Sequence, residues 1–416
     1  MSRAAVLVTA AALLAAPWAG HIDDTDAQLY QVLARNMAAA RSWLEPGLPP
    51  GSNLPFREHL PFGLWPYAAT VRALGERALP VAGAAFSLLT VLVVMTLAPG
   101  AGGLAAALVL ATTETFFLYG GRPRLDPPLI LFGTLGAVLV LQPRPSWVLA
   151  TLAASLGALI KGPFGVAPFV CAALARALSE RSGRTFLLGA AGTLLALAPA
   201  ALFISLADPS WGDRYLHAQV LSSATGARTD GSTAWWAALA SVGGRFWPGL
   251  PFALLAAFRR RNRTLELTCA LLLIALSLPV RKVWNNELVA YPLLALLAGE
   301  WLAPHVHRWS RFLPVVGAAA LALAASGLGS RLLPRPCVAS RELAQLLPEA
   351  GTRVLVVSAP MDWRTLVGLA AEQRLDPWPA AGLDGEARFA LVREELLSAG
   401  RWRAVGRARG WVLAVR

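Results

Sequence analysis

Charged side chains are scarce in this 416-residue chain, at 15% of the total, where an ordinary soluble domain carries about 25%. Hydrophobic residues reach 56%, and together the two figures exclude a water-soluble fold of this length. Cysteine is scarcer still. Cys171, Cys269 and Cys337 are too few for a disulfide framework, and the first two fall inside apolar runs, where they read as packing residues. Acid is short relative to base, 24 Asp and Glu against 37 Lys and Arg, for a net charge of +13. The basic residues are scattered between apolar runs and form no arm or stripe, which argues against nucleic acid as a partner.

Long apolar runs are what the chain has instead. Those at 104–118, 148–160 and 187–206 are long enough, or nearly so, to cross a hydrocarbon core of about 30 Å at 1.5 Å per residue. The whole reads as a mainly α, polytopic membrane protein of about 11 spans. They lie near 4–20, 80–98, 102–119, 126–142, 147–160, 163–178, 186–206, 236–258, 265–280, 286–303 and 312–330. Residues 1–20 partly resemble a cleavable signal peptide, but because the remainder is itself membrane-embedded they are expected to stay as the first span.

The positive-inside rule orients this threading. With the N-terminus inside, the cytoplasmic turns carry Arg144, Arg176, Arg181, Arg184, the Arg259-to-Arg263 cluster, Arg308 and Arg311, and almost no acid beyond Glu180. The loop 21–79, the turn 120–125, the loop 207–233 and the segment 280–287 then face outward, toward the periplasm of a bacterial inner membrane. Asp23, Asp24, Asp26, Asp126, Asp208, Asp213 and Asp230 all gather on that face.

In loop 21–79, residues 26–40 have helical spacing with Asp24 or Thr25 available as N-cap, and 61–74 form a second helix candidate. Both are expected to lie in the membrane interface. Composition changes at Pro334, so the chain divides into a membrane region, 1–333, and a small periplasmic α/β domain, 334–416. Within the latter, 342–347 and 388–397 have helical patterns, while 353–358 and 410–415 look like strands.

Asp126 opens a membrane span behind Arg122-Pro123-Arg124-Leu125. An acid there is costly unless it is paired or faces a polar cavity, which makes it a site candidate; a structural pair with Arg122 or Arg124 is the plainer alternative. Lys161-Gly162-Pro163 and Arg281-Lys282 fall at outer helix ends, where snorkelling to the interface competes with a functional role. Asp23-Asp24-Thr25-Asp26 is either a solvated helix cap or part of a site.

Taken in order, these segments resemble a family. Asp26-Ala27-Gln28-Leu29-Tyr30, Ala34-Arg35-Asn36-Met37, Trp43-Leu44-Glu45-Pro46, Glu58-His59-Leu60-Pro61 with Trp65, Arg124-Leu125-Asp126, Lys161-Gly162-Pro163, the stretch from Phe246 to Phe252 and Tyr291-Pro292-Leu293 are similar to the aminoarabinose transferase and protein O-mannosyltransferase family of bacterial membrane glycosyltransferases. The similarity covers residues 20–300 and is carried by the set, since each motif alone is weak. It departs where the family often has Asp-Glu for Asp26-Ala27, and Lys-Pro-Pro or His-Pro-Pro for His59-Leu60-Pro61.

The resemblance implies a GT-C bundle with a long first outer loop, taking a sugar from a polyprenyl-phosphate carrier to a lipid, glycan or protein hydroxyl. By resemblance, Asp126 sits beside the reacting centre or orients cations. A carboxylate can take the acceptor hydroxyl's proton, with Asp26 the first candidate for that base. Arg122, Arg124, His59, Lys161, Arg281 and Lys282 are the cations that the threading places on the same face to hold the departing phosphate, with Glu58 and Tyr30 as further donor-site residues. A lone base and an anionic leaving group suffice for single displacement with inversion. No cofactor is assigned; a divalent metal held by His21, Asp23, Asp24, His59 or His217 stands against solvated side chains as the alternative. A polytopic transporter and a non-catalytic relative that binds polyprenyl lipid are the rival functions.

Overall fold

The computed structural model describes residues 3–15, 25–40, 43–47, 56–97, 100–226, 232–247, 249–259, 262–280, 282 and 284–306, together with five strands within 353–415. In chain order the helices are α1 (Arg3–Ala15), α2 (Thr25–Ala40), α3 (Trp65–Leu74), α4 (Leu79–Leu97), α5 (Gly100–Thr112), α6 (Glu114–Gly120), α7 (Asp126–Leu141) and α8 (Trp147–Lys161). They continue as α9 (Pro163–Glu180), α10 (Gly183–Leu206), α11 (Pro209–Trp211), α12 (Ser222–Thr225), α13 (Ala237–Arg245), α14 (Gly249–Arg259), α15 (Arg263–Ser277) and α16 (Tyr291–Leu302). A π-helix, Gly212–Leu221, joins α11 to α12. The strands are β1 (Arg353–Val357), β2 (Asp376–Ala380), β3 (Phe389–Arg393), β4 (Arg403–Ala408) and β5 (Trp411–Val415).

Among the described residues, Glu76–Leu97, Gly183–Leu206 and Asn285–His305 are long and apolar enough to cross a membrane, and α5 with α6 passes as a pair bent by 71°. α1, α7, α8 and α14 are apolar but shorter. Each expected span up to 303 falls on one of the described helices or on a consecutive pair; the span at 312–330 lies outside the described residues.

Two compact units make up the chain. The first, Met1–Ala19, Arg57–Gly63 and Pro80–Gly329, contains the apolar helices. Within it α7, α8, α9 and α10 pack on one another, as do α5, α14 and α16. α8 and α9 are joined by Gly162 alone, at φ 55 and ψ −135, a backbone conformation open to glycine and not to L side chains. Pro163 then starts α9, where its missing N–H costs nothing. Just past this reversal the two helices touch backbone to backbone: a Cβ on Gly157 would lie 2.6 Å from the Gly165 carbonyl.

The second unit, Gly20–Phe56, Leu64–Leu79 and Ser330–Arg416, contains α2, α3 and the sheet. α2 begins at Thr25 and buries Tyr30, Val32, Leu33 and Met37. It is tied by Gln31 Nε2 donating to Glu76 at 3.0 Å, by the Arg35–Glu76 ion pair at 3.5 Å, and by Asn36 Nδ2 donating to the Gly47 carbonyl at 3.1 Å. Trp65 opens α3 and donates its indole N–H to the Trp43 carbonyl at 2.7 Å.

The sheet order is β2-β1-β3-β5-β4. β1 runs parallel to β2 and β3, while β5 is antiparallel to β3 and β4, with a register shift between Ala404 and Gly406. β2 carries Pro377 and Pro379 at an edge, the place in a sheet where a missing N–H is tolerated. The expected helix at 388–397 is corrected here: Phe389–Arg393 is a central strand between β1 and β5. Its residues suit a helix locally, but pairing on both sides decides the outcome. The helix expected at 342–347 lies outside the described residues.

Candidate active site

Asp126 starts α7 directly ahead of Pro127 and Pro128, whose ring-fixed φ favours the first helical turn, and a carboxylate there complements the helix dipole. Lys161 ends α8, where a cation is favoured for the mirror-image reason. The packing of α7 on α8 brings the two together. Lys161 Nζ donates to Asp126 Oδ1 at 2.9 Å and Arg124 Nε donates to Oδ2 at 2.8 Å. Both carboxylate oxygens are engaged, and the Asp126 and Arg124 side chains are 4% and 3% exposed. Desolvation of that depth is offset only when such charge-assisted bonds are well made. The guanidinium carbons of Arg124 and Arg122 also stand 4.7 and 5.5 Å from the centre of the Tyr119 ring.

Glycines and one serine hold the Arg122-to-Asp126 turn in place. A Cβ on Gly83 of α4 would run into the Arg122 carbonyl, so α4 passes directly against the turn. Ser87 donates its hydroxyl to the Gly120 carbonyl at 3.1 Å. From loop 21–79, Gly63 packs on Leu125 and Ile160, the neighbours of Asp126 and Lys161; a Cβ there would lie 2.7 Å from Leu125 and 3.1 Å from Ile160.

The same loop segment meets the loop after α10. Phe62 stacks edge-on with Phe203 at 5.0 Å, Phe203 with Trp211 at 5.3 Å, and Arg57 Nη1 donates to Asp208 Oδ1 at 3.1 Å. Glu58 accepts from Gln219 at 3.2 Å. Hydrogen bonding by Ser210, whose amide donates to Asp208 at 2.8 Å, together with the Arg57 charge, holds the Asp208 carboxyl below its ordinary value. In the π-helix, Tyr215 is 3% exposed, and its hydroxyl lies against the bare Cα of Gly162.

Arg122, Arg124, Asp126 and Lys161 are therefore brought together. Glu58 is exposed and His59 half-buried in the segment that carries Gly63. Lys282 is buried, but its ammonium donates to the Pro279 carbonyl at 2.8 Å, within its own turn. Asp26, half-buried in the first turn of α2, and the buried Tyr30 belong to the second unit. Arg281, His21, Asp23 and Asp24 lie outside the described residues, His217 is exposed, and among the described residues no three His, Cys, Asp or Glu side chains gather as a metal site.

Two features were missed from sequence. Tyr215 offers no motif, although the π-helix around it is a kind of element often found at functional sites. Glu287, 2% exposed, accepts from the Ser241 hydroxyl at 3.2 Å inside an apolar stretch; an acid so placed was a signal available from the sequence.

No family model and no curated protein matches the sequence. Solved structures do. ArnT, the aminoarabinose transferase, from Cupriavidus metallidurans bound to undecaprenyl phosphate superposes with a TM-score of 0.73 at 17% identity, over 99% of this chain and 97% of that one. Its apo state gives 0.72 at 16%, over 98% and 96%. The archaeal oligosaccharyltransferase AglB from Archaeoglobus fulgidus, in complex with an inhibitory peptide and a dolichol-phosphate, gives 0.56 at 14%, over 94% and 69%. The chain shares the fold of these structures, over nearly the whole length of the first two.

Proposed function

We propose that the protein is a bacterial inner-membrane glycosyltransferase that moves a sugar from a polyprenyl-phosphate carrier to a hydroxyl of a lipid, glycan or protein on the periplasmic face. The observation that carries this reading is the buried Arg124–Asp126–Lys161 cluster at the joined ends of α7 and α8. A departing lipid phosphate is a good leaving group that needs its charge held, and guanidinium and ammonium groups fixed beforehand do so without reorganising during the reaction. Asp126 serves here as a positioning residue, aiming Arg124 and Lys161 from between them; Arg122, Glu58 and His59 belong to the segments packed around it. Arg281, Lys282 and Tyr30 complete the proposed donor site, which the membrane region 1–333 holds, with 334–416 as a periplasmic domain.

Asp26 is the proposed general base. It accepts the acceptor hydroxyl's proton as that oxygen attacks the anomeric carbon and the bond to the phosphate oxygen breaks, with inversion. The charge distribution of the cytoplasmic turns supports the orientation. The neighbours' ligands, undecaprenyl phosphate in one and a dolichol-phosphate in the other, support the donor class.

The test is transfer of label from a polyprenyl-phosphate sugar to envelope glycolipids or glycoproteins by the purified protein, with the anomeric configuration of the product read by NMR. Label in the acceptor with inverted configuration is the expected result. Vesicle uptake of the donor without transfer would favour a transporter, and donor binding without either a non-catalytic relative.

A further inference from the structure

Tyr215 is out of place as a purely structural residue. It sits in the middle of a ten-residue π-helix, a rare element that gives up the better α-helical hydrogen bonds. The segment is held from behind: Trp211, 1% exposed, packs on Phe203, and Asp208 caps α11 through the Ser210 amide. The phenol is thereby pressed onto Gly162, where any Cβ would collide with its oxygen. Tyr215 as a whole residue is 3% exposed, and among the described residues its hydroxyl takes part in no hydrogen bond; the oxygen itself is not one of the fully buried unpaired atoms, so it reaches accessible space at this turn. A side chain otherwise enclosed, with its hydroxyl unpartnered by the protein and its oxygen at the edge of accessible space, is a donor open to an acceptor that comes from outside.

What surrounds that oxygen defines the acceptor. Gly162 is the N-cap of the 18-residue α9; Pro163 has no N–H, and the Gly162 and Gly165 amides donate to the Ala158 and Gly162 carbonyls, so what the helix offers here is the positive end of its dipole. Lys161, the preceding residue, has three N–H donors, and Asp126 takes one. Burial pushes the Tyr215 phenol well above its ordinary range, so it remains a proton donor at physiological pH and brings no competing negative charge. A lysine, the positive end of a helix dipole and a neutral O–H donor at one turn suit a phosphate.

Resting on the function proposed above, we infer that Tyr215 is a further donor-binding residue, its hydroxyl hydrogen-bonding the phosphate that Lys161 attracts at the α8–α9 turn. A phosphate on a polyprenyl lipid and free inorganic phosphate share this chemistry, and the two are separated by experiment.

Full-length protein in detergent is titrated with undecaprenyl phosphate, with undecaprenol, which lacks the phosphate, and with inorganic phosphate, following tryptophan fluorescence. Tyr215→Phe keeps the ring and removes only the oxygen. The expected result is an affinity for undecaprenyl phosphate about tenfold weaker than wild type, undecaprenol affinity unchanged, and a ligand-free melting temperature no lower than wild type. The same loss with inorganic phosphate would place the contact at the headgroup whatever the lipid. Equal affinity for undecaprenyl phosphate in both proteins would overturn the inference and leave the function standing. A lowered ligand-free melting temperature would overturn it too, marking the hydroxyl as a structural hydrogen bonder. Failure of the wild type to bind either phosphate would remove the donor site itself and the inference with it.

Discussion

Lys161 on α8 reaches Asp126 on α7 across 35 residues of sequence and 2.9 Å of space. Both side chains are largely buried, 13% and 4% exposed, and the pair is lopsided. Without Asp126 the Lys161 ammonium loses its carboxylate, whereas without Lys161 the Asp126 carboxylate keeps Arg124, and an unpaired charge at that depth is far costlier than a pair. The contact therefore couples the packing of two helices to the placement of two cations.

Asp126→Asn should destabilise the protein by about 3–5 kcal/mol, since it leaves two buried cations facing one neutral amide. Lys161→Met should cost less, because Arg124 still pairs with Asp126. Thermal melting of the three proteins in detergent checks the order, and a Lys161→Met protein melting below Asp126→Asn would contradict it.

Gly83→Ala adds one methyl group against the Arg122 carbonyl, a backbone atom with little room to give. Overpacking of this kind costs about 1–3 kcal/mol, and it should also weaken undecaprenyl phosphate binding by shifting the turn that carries Arg124. Gly243→Ala is the control: with nothing within 4 Å of its would-be Cβ, in the last turn of α13, it should be neutral or slightly stabilising.

Asp26→Asn should lower transfer by about 10²–10⁴-fold, the range expected for loss of a general base. Donor binding should survive in this variant and fail in Asp126→Asn. Measuring labelled-sugar transfer alongside undecaprenyl phosphate binding separates the two carboxylates; full transfer by the Asp26→Asn protein would remove it as the base.

Tyr215 also predicts an alkaline effect. Its phenol pKa is raised by burial, so as pH climbs above about 10, where an unfolded tyrosine releases its proton, the unfolded state is favoured and stability falls. Tyr215→Phe lacks that group. The melting temperature of wild type should therefore drop further than that of Tyr215→Phe between pH 8 and pH 11, and parallel curves would count against it.

The apolar helices were legible because their hydrophobic runs leave few alternatives, and Asp126 and Lys161 stood out because a charge at the end of an apolar helix needs a reason. Which cation met which acid was not legible. Asp126 has Arg122 and Arg124 close in sequence, yet it pairs with Arg124 and with Lys161, and the choice is made by how α7 packs on α8. Arg57 and Asp208, 151 residues apart, are joined by the same kind of tertiary decision. Tyr215 and Gly162 look ordinary until folding sets one upon the other. Phe389–Arg393 was misread because its local composition says helix while its two neighbouring strands say otherwise.

Both margins of the C-terminal sheet are closed to newcomers. β2 offers prolines at 377 and 379 in place of amide donors, and β4 breaks step at Ala404 and Gly406 while bearing the exposed Arg403 and Arg407. An unguarded border would invite a neighbouring copy to zip on and start fibrillar stacking. With its borders sealed in this way, the sheet should remain solitary even where many copies crowd the same patch of bilayer.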